Sequence, residues 1–201
     1  MSRNLIAILR GVTPIEVAKI GATLIEAGID RIEVPLNSPN ALESIAILTA
    51  HFEDQALIGA GTVLTVDEVL HVAAAGGRLI VSPNTDEKVI AAAKEAGLAS
   101  FPGAFTATEC LAAIRAGADA LKLFPAAQLG PSGLKALAAI LPHGLPLYAV
   151  GGAGAENFSE WIAAGASGFG IGAALYKPGD GAGEVDLRAR QIVAAYDAVI
   201  R

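Results

Sequence analysis

The chain has 201 residues, of which 53% are hydrophobic and only 17% are charged, so it is long and apolar enough to bury the core of one domain. Its formal net charge of −6 provides no basic surface for nucleic acid or for an anionic membrane, which favours a small-molecule ligand held by a local arrangement of groups. The single cysteine, Cys110, excludes an internal disulfide framework and a cysteine-based metal cluster.

Short β-type runs alternate with longer helical stretches along the chain. The eight runs are LIAIL (5–9), DRIEV (30–34), ALIGA (56–60), RLIVS (78–82), LASF (98–101), ALKLF (120–124), LPLYAV (145–150) and GFGIG (168–172). Because an amphipathic stretch follows each run, the pattern predicts parallel strands joined by crossover helices. We therefore predict an α/β protein in which residues 1–201 form a single (β/α)8 TIM barrel, with a doubly wound open sheet as the alternative.

An Ala-Gly repeat precedes several of these runs and supports the same count. Glycine supplies the left-handed backbone conformation that ends a helix, and a strand can then begin within a few residues. The predicted helix-ending glycines are Gly28, Gly76, Gly97, Gly117 and Gly165.

Three polar side chains interrupt apolar runs near their ends, where the active sites of parallel barrels lie. Arg10 closes LIAILR, Glu33 lies in DRIEVP and Lys122 lies in ADALKLFP. Strand alternation places Glu33 and Lys122 on the interior face if their aliphatic neighbours pack against the helices. A buried lysine has a lowered pKa and can attack a ketone. We therefore predict a Schiff base on Lys122 and proton transfer by Glu33.

Each of these residues also has a simpler explanation. Lys122 and Glu33 could form a structural ion pair, or Lys122 could extend to the barrel mouth. Arg10 could orient a carboxylate in bidentate fashion or be a surface arginine at a strand end. Two further functions stay open at this point: a non-covalent phosphosugar isomerase or epimerase that uses Glu33 as base, and a catalytically silent sugar-phosphate-binding protein.

Glycine-rich segments follow the seventh run and form the eighth: GGAGAEN (151–157) and GFGIGAAL (168–175). Loops after strands seven and eight form the usual phosphate cradle of such barrels. The predicted phosphate-binding residues are Gly151, Gly152, Gly170, Ile171 and Gly172, with the formation of tight βα turns as the alternative role of the glycines. The segments GAGTV (59–63) and SPNT (82–85) end the third and fourth runs, so Thr62, Pro83 and Asn84 are candidates to line the ligand site, with turn formation as their alternative role.

Other ligand classes lack support in the sequence. His51, His71 and His143 share no metal-ligand spacing, no GxGxxG follows the first run and no Walker loop is present, so we expect no metal and no cofactor. The apolar run in MSRNLIAILRG is too short for a signal peptide, and no run of about 18 apolar residues would span a bilayer. We expect a soluble cytoplasmic protein with no nucleic-acid or membrane partner.

Seven motifs together resemble the 2-keto-3-deoxy-6-phosphogluconate and -galactonate aldolases over essentially the full length. The motifs are ILRG (8–11), IEVPLNSP (32–39), GAGTV (59–63), SPNT (82–85), ALKLFPA (120–126), VGG (150–152) and GIG (170–172). The resemblance implies a class I aldolase with Lys122 as Schiff-base lysine, Glu33 as proton carrier and Arg10 near the substrate. It also implies recognition of the carbonyl end by Thr62 and Pro83, phosphate binding by the glycine pair and the eighth strand, and a homotrimer.

Two departures concern the substrate. Where the gluconate enzymes resemble EVTLRT and PTGG, this chain has EVPLNSP and AVGG, so Asn37 replaces an arginine and Val150 replaces a threonine. Both changes resemble the galactonate branch, whose substrate differs from the gluconate compound in configuration at C4. We therefore expect cleavage of a phosphorylated 2-keto-3-deoxy sugar acid of galactonate configuration, with the gluconate epimer as the alternative. Asn37, Phe124 and Val150 complete the predicted substrate site.

Overall fold

Parallel strands and helices alternate through residues 3–200, which are the residues that the computed structural model describes. The strands are β1 (Leu5–Ile8), β2 (Arg31–Pro35), β3 (Leu57–Gly61), β4 (Leu79–Val81), β5 (Ala99–Phe101), β6 (Gly103–Ala104), β7 (Leu121–Leu123), β8 (Leu147–Val150) and β9 (Gly168–Ile171). The helices are α1 (Pro14–Ala27), α2 (Ala41–Phe52), α3 (Val66–Ala74), α4 (Glu87–Glu95), α5 (Ala107–Arg115), α6 (Ala126–Ala138), α7 (Phe158–Ala164) and α8 (Ala182–Val199). The predicted domain limits, 1 and 201, lie outside the described residues.

The strands pair in parallel in the order β5-β4-β3-β2-β1-β9-β8-β7-β6. The two ends of this order, β5 and β6, are separated in the chain only by Pro102, so together they form one barrel strand and close the circle. Proline has no N–H to donate to a ladder, which explains the break. Its carbonyl still accepts a hydrogen bond of 2.9 Å from the Lys122 N–H. The predicted eight-stranded barrel is confirmed, with a fifth strand that continues beyond the predicted LASF run.

Alternation along the strands separates two apolar regions. Outward-facing side chains such as Ile32 and Leu121 pack with the helices in the main core. Inward-facing side chains such as Ile6, Leu79 and Tyr148 form a smaller cluster inside the barrel. This division follows from the pleat, which sends successive side chains to opposite faces.

Local signals fix the helix ends. The five predicted helix-ending glycines all have positive φ, between 74° and 110°, so this prediction is confirmed. Threonine N-caps begin α3 and α5, where the Thr65 and Thr106 hydroxyls accept from the N–H groups of Glu68 and Glu109. Within residues 3–200, no helix combines the length and apolar character needed to cross a bilayer.

A polar layer closes the N-terminal end of the barrel. The Arg31 guanidinium donates hydrogen bonds to Asn4 Oδ1 and to the Tyr148 hydroxyl, which itself donates to Asn4 Oδ1 over 3.2 Å. The ring of Tyr148 lies above this layer and contacts Phe101, with ring centroids 5.2 Å apart. The barrel interior is therefore reached from the C-terminal end of the strands.

Candidate active site

An open cleft of about 370 Å³ lies at the C-terminal end of the barrel. Predicted site residues form most of its wall. Those that line it are Arg10, Thr62, Pro83, Lys122, Phe124, Val150, Gly151, Gly152, Gly170, Ile171 and Gly172. The structure therefore brings together positions that are spread over the whole sequence.

Some wall residues were not predicted from the sequence. They are Ile8, Ala153, Gly154, Glu156, Ala173 and Ala174. Ile8 could not be recognised as a site residue from the sequence, because it is one of several aliphatic residues in the first strand. Glu156 lies in the predicted phosphate loop, GGAGAEN, so its position in that loop was a usable signal. It places a carboxylate at the rim of an otherwise neutral loop.

Three predicted residues lie outside the wall of the cleft. Glu33 lies deeper, in a second small void that it shares with Lys122 and apolar side chains such as Phe101. Asn37 contacts the site through Arg10, whose Nη1 donates to Asn37 Oδ1 over 2.6 Å. Asn84 is not part of the wall, and its carbonyl instead accepts from the Gly103 N–H at 3.2 Å.

Glu33 lies inside β2 and is only 2% exposed. Burial raises the pKa of its carboxyl from 4.5 to about 7, although the positive charges of Lys122 and Arg10 act to lower it. Its Oε2 atom is buried and has no hydrogen-bond partner among residues 3–200. A carboxyl with a pKa near neutrality can both accept and return a proton, which general acid–base catalysis requires.

Lys122 is the central residue of β7 and is 7% exposed. Burial lowers the pKa of its ammonium group, the negative charge of Glu33 raises it and Arg10 lowers it. Its Nζ lies 4.8 Å from the centroid of the Phe124 ring. The flanking leucines, Leu121 and Leu123, face the outer core, as the strand alternation predicts. The site thus favours a neutral amine that can attack a carbonyl.

Arg10 is exposed at the rim, two residues beyond the end of β1. Two hydrogen bonds join Arg10 and Gly11 to the loop after β2. One is the bond from the Arg10 side chain to Asn37, and in the other the Gly11 N–H donates to Ser38 Oγ over 2.9 Å. The guanidinium is therefore held at the mouth of the cleft, where its remaining N–H groups are available to an anion.

The glycine-rich end of the cleft consists mainly of backbone. Gly151 and Gly152 have φ values of 84° and 101°, which other residues rarely adopt. The Asn157 side chain holds the loop, because it accepts from the Gly154 N–H and donates to the Gly152 carbonyl, both over 3.0 Å. The Ile171 side chain is buried in the outer core, so only its backbone can face a ligand.

Thr62 has an unusual backbone for a β-branched residue, with φ of 58° in the left-handed region. Such strain persists only where the surrounding structure imposes it, and it is concentrated at functional sites. Thr62 lies in the cleft wall together with Pro83.

The histidines and the cysteine lie away from this cleft. Among residues 3–200, no three His, Cys, Asp or Glu side chains are grouped so that they could hold a metal ion. Cys110 is buried in α5, and burial raises the pKa of its thiol to about 11, as for a small apolar core residue.

A barrel that holds a desolvated lysine and a desolvated carboxyl beside a glycine-lined cleft is typical of the class of lyases that work through a lysine imine. The chain belongs to the KDPG and KHG aldolase family, whose model matches residues 2–186. The family predicted from the sequence is therefore confirmed. Neither a non-covalent isomerase nor a catalytically silent binding protein is supported.

Two similar proteins carry more specific names. The "Probable 2-dehydro-3-deoxy-6-phosphogalactonate aldolase" of Rhizobium meliloti (strain 1021) is 51% identical over 199 residues, which are 99% of this chain and 94% of that protein. The 2-dehydro-3-deoxy-6-phosphogalactonate aldolase of Escherichia coli (strain K12) is 46% identical over 198 residues, which are 98% of this chain and 96% of that protein.

Solved structures are similar in fold. A structure described as native KDPGal has a TM-score of 0.98 and 44% identity, covering 100% of this chain and 97% of its own. A cube-shaped protein cage designed by fusing symmetric oligomeric domains has the same TM-score of 0.98 and identity of 44%, covering 100% of this chain and 74% of its own. The KDPG aldolase of Legionella pneumophila, with pyruvate captured at low pH as a covalent carbinolamine intermediate, has a TM-score of 0.82 and 26% identity, covering 98% and 94%.

Proposed function

We propose that the chain cleaves 2-dehydro-3-deoxy-6-phospho-D-galactonate to pyruvate and D-glyceraldehyde 3-phosphate through an imine on Lys122. The observation that carries this proposal is the pairing of two desolvated groups of opposite type, Lys122 and Glu33, in one barrel interior. The names of the two similar aldolases support the substrate, and the carbinolamine of the Legionella enzyme supports a covalent step.

The reaction begins when the neutral Lys122 amine attacks the C2 ketone, and the resulting carbinolamine takes up a proton from solvent and loses water to give the iminium. Glu33 removes the proton of the C4 hydroxyl, the C3–C4 bond breaks, and its electron pair moves into the iminium to give an enamine. Glyceraldehyde 3-phosphate leaves with the new aldehyde at the former C4. Glu33 then returns the proton to C3, and water hydrolyses the resulting iminium to pyruvate and the free Lys122 amine, releasing one proton to solvent.

The remaining residues hold the substrate. Arg10, positioned by Asn37, and the Thr62–Pro83 wall bind the carboxylate and carbonyl end, while the Phe124 ring packs beside the imine. The phosphate is bound by backbone N–H groups of Gly151, Gly152, Gly170, Ile171 and Gly172. Main-chain donors suit an anion in a protein of net charge −6, because they need no basic surface.

The preference for galactonate configuration rests on Val150, which lines the cleft at the end of β8. Valine presents methyl groups where a threonine would offer a hydroxyl to C4. The gluconate epimer is the alternative substrate. The preference between the two epimers is tested by measuring pyruvate release from each of them in an assay coupled to NADH oxidation. We expect a higher kcat/KM with the galactonate compound and a smaller ratio in Val150→Thr. A wild-type protein that prefers the gluconate epimer would overturn the proposed preference for galactonate configuration.

We also propose that residues 1–201 form one catalytic domain of a cytoplasmic homotrimer that needs no cofactor and binds neither nucleic acid nor membrane. The symmetric oligomers in the 44% identical cage support self-association. A candidate interface is the apolar side formed by the start of α2, by the loop that precedes α3 and by α3 itself. Its exposed apolar side chains are Leu42, Leu64, Val66 and Leu70.

Light scattering coupled to size exclusion tests this assembly. The wild type and a Leu187→Glu control on α8 should elute as trimers, whereas Leu64→Glu/Leu70→Glu should elute as a monomer. If the double variant is still a trimer, the interface lies elsewhere on the surface. If the wild type is a monomer, the proposed trimer is wrong.

A further inference from the structure

We infer that Gly61 is a positioning residue, whose missing side chain leaves the space in which the Glu33 carboxylate is held; this inference rests on the proposed role of Glu33. Gly61 is the last residue of β3 and pairs with Pro35 of the neighbouring β2. A Cβ built on Gly61 would overlap the Cδ atom and both carboxylate oxygens of Glu33. The carboxylate thus occupies the volume that any other residue at this position would fill.

Backbone conformation does not explain this glycine. Gly61 is absent from the positive-φ glycines among residues 3–200, so its backbone is open to ordinary L-residues. Gly59, two residues earlier on the same strand, differs, because a Cβ there would overlap the backbone of Leu79. Gly59 is therefore required by strand packing, whereas Gly61 is required by a functional side chain.

The strands around Gly61 cannot move apart easily. The Gly61 carbonyl accepts from the Leu36 N–H over 2.9 Å, and the Glu33 carbonyl accepts from the Leu9 N–H over 3.0 Å. One oxygen of the Glu33 carboxylate lacks such a restraint, since the buried Oε2 has no hydrogen-bond partner among the described residues. The location of the carboxylate is therefore set by packing against Gly61 and against the apolar side chains around the void. A methyl group at position 61 would displace the carboxylate rather than the strands.

The consequence for turnover follows from the geometry of proton transfer. A displacement of about 1 Å at a reacting group can cost on the order of 10²-fold in rate. We expect Gly61→Ala to lower kcat and the rate of hydrogen exchange at C3 of pyruvate by about 10- to 100-fold. Borohydride trapping of pyruvate on Lys122 should persist, because the attacking amine stays in place.

The test is a double-mutant cycle of Gly61→Ala and Glu33→Ala. An alanine at position 33 ends at Cβ, so the volume that the Glu33 carboxylate occupies beside Gly61 is empty in that variant. Gly61→Ala should therefore slow C3 exchange at least about 10-fold when the glutamate is present and less than about 2-fold in the Glu33→Ala background. Equal losses in both backgrounds, or no loss in either, would overturn the inference. Gly183→Ala, at an open helical position in α8, is the matched control and should retain wild-type rates.

Thermal denaturation of the four proteins of the cycle gives a readout that does not depend on catalysis. Gly61→Ala should lower Tm when Glu33 is present and leave it nearly unchanged in the Glu33→Ala background, because the overlap is then gone. The same decrease in both backgrounds would contradict the packing argument. Absence of a pyruvate adduct in the wild type would reject the proposed aldolase chemistry while this stability cycle still decides the packing claim.

Discussion

Glu33 and Lys122 lie on strands that are four places apart in an eight-stranded circle, so they face each other across the barrel interior. Burial acts on the two in opposite directions: it raises the pKa of the Glu33 carboxyl to about 7 and lowers the pKa of the Lys122 ammonium. Both shifts favour the uncharged forms. Groups whose pKa values are moved toward neutrality in this way can exchange protons at physiological pH.

Glu33→Gln should separate proton transfer from imine formation. Glutamine keeps the size of the side chain but cannot accept the C4 hydroxyl proton. We expect kcat to fall by roughly 10² to 10⁴-fold, while borohydride still traps pyruvate on the protein. Steady-state kinetics and intact mass give the two readouts. Full turnover by this variant would eliminate Glu33 as the proton carrier.

The same substitution should change how stability depends on pH. The pKa of Glu33 is raised from 4.5 to about 7 on folding, so the folded state holds this proton more tightly than the unfolded chain. The contribution that protonated Glu33 makes to the free energy of unfolding is therefore fully present below pH 4.5 and is lost as pH rises through about 7. Glutamine does not ionise and avoids this loss.

Urea denaturation at several pH values measures that difference. The free energy of unfolding of Glu33→Gln minus that of the wild type should increase by about 3 kcal/mol between about pH 4.5 and about pH 8. A difference that does not vary with pH would mean that the Glu33 carboxyl is not desolvated in the folded protein.

Gly172→Ala should weaken phosphate binding without disturbing the fold. Gly172 lines the cleft, has no positive φ, and a Cβ there would meet only Ile8 Cβ, at 3.9 Å. The added methyl group therefore occupies space meant for the phosphate. We expect KM for the phosphorylated substrate to rise about 10-fold or more, with Tm unchanged. The rate with an unphosphorylated analogue should stay the same, and an equal loss for both substrates would contradict phosphate binding at Gly172.

Thr62→Gly should affect activity and stability in different ways. A β-branched residue in the left-handed region carries strain of about 1–3 kcal/mol, which offsets the entropic cost of introducing glycine. We expect the free energy of unfolding to stay equal or to rise by about 1 kcal/mol, while KM increases at least about 10-fold. Thr65→Ala, at the N-cap of α3, is the control: it should lower the free energy of unfolding by about 1 kcal/mol and leave KM unchanged. A Thr62→Gly variant with normal KM would exclude substrate contact by Thr62.

Much of this architecture was predictable because its signals are local. The leucines that flank Lys122 fix which face of the strand the lysine takes, and glycines such as Gly117 mark where helices end. Contacts that depend on tertiary packing were not predictable. The hydrogen bond from Arg10 to Asn37 joins two different βα loops, and the fit of the Glu33 carboxylate against Gly61 depends on how β2 and β3 lie together. No pattern within either segment encodes those distances.

The void shared by Lys122 and Glu33 also explains why alternation alone was insufficient. Periodicity shows that both side chains point inward, but the magnitude of their desolvation depends on Phe101, Tyr148 and Val150, which come from other strands. The pKa shifts that make the pair chemically useful are therefore a property of the closed barrel.

The most direct test of the covalent mechanism is borohydride reduction in the presence of excess pyruvate, followed by peptide mass analysis, with Lys122→Met as the control. The mechanism predicts a reduced pyruvate adduct on Lys122 in the wild type and none in the variant. A wild-type protein that carries no adduct, or one that carries it on another lysine, would contradict the assignment of Lys122 as the nucleophile.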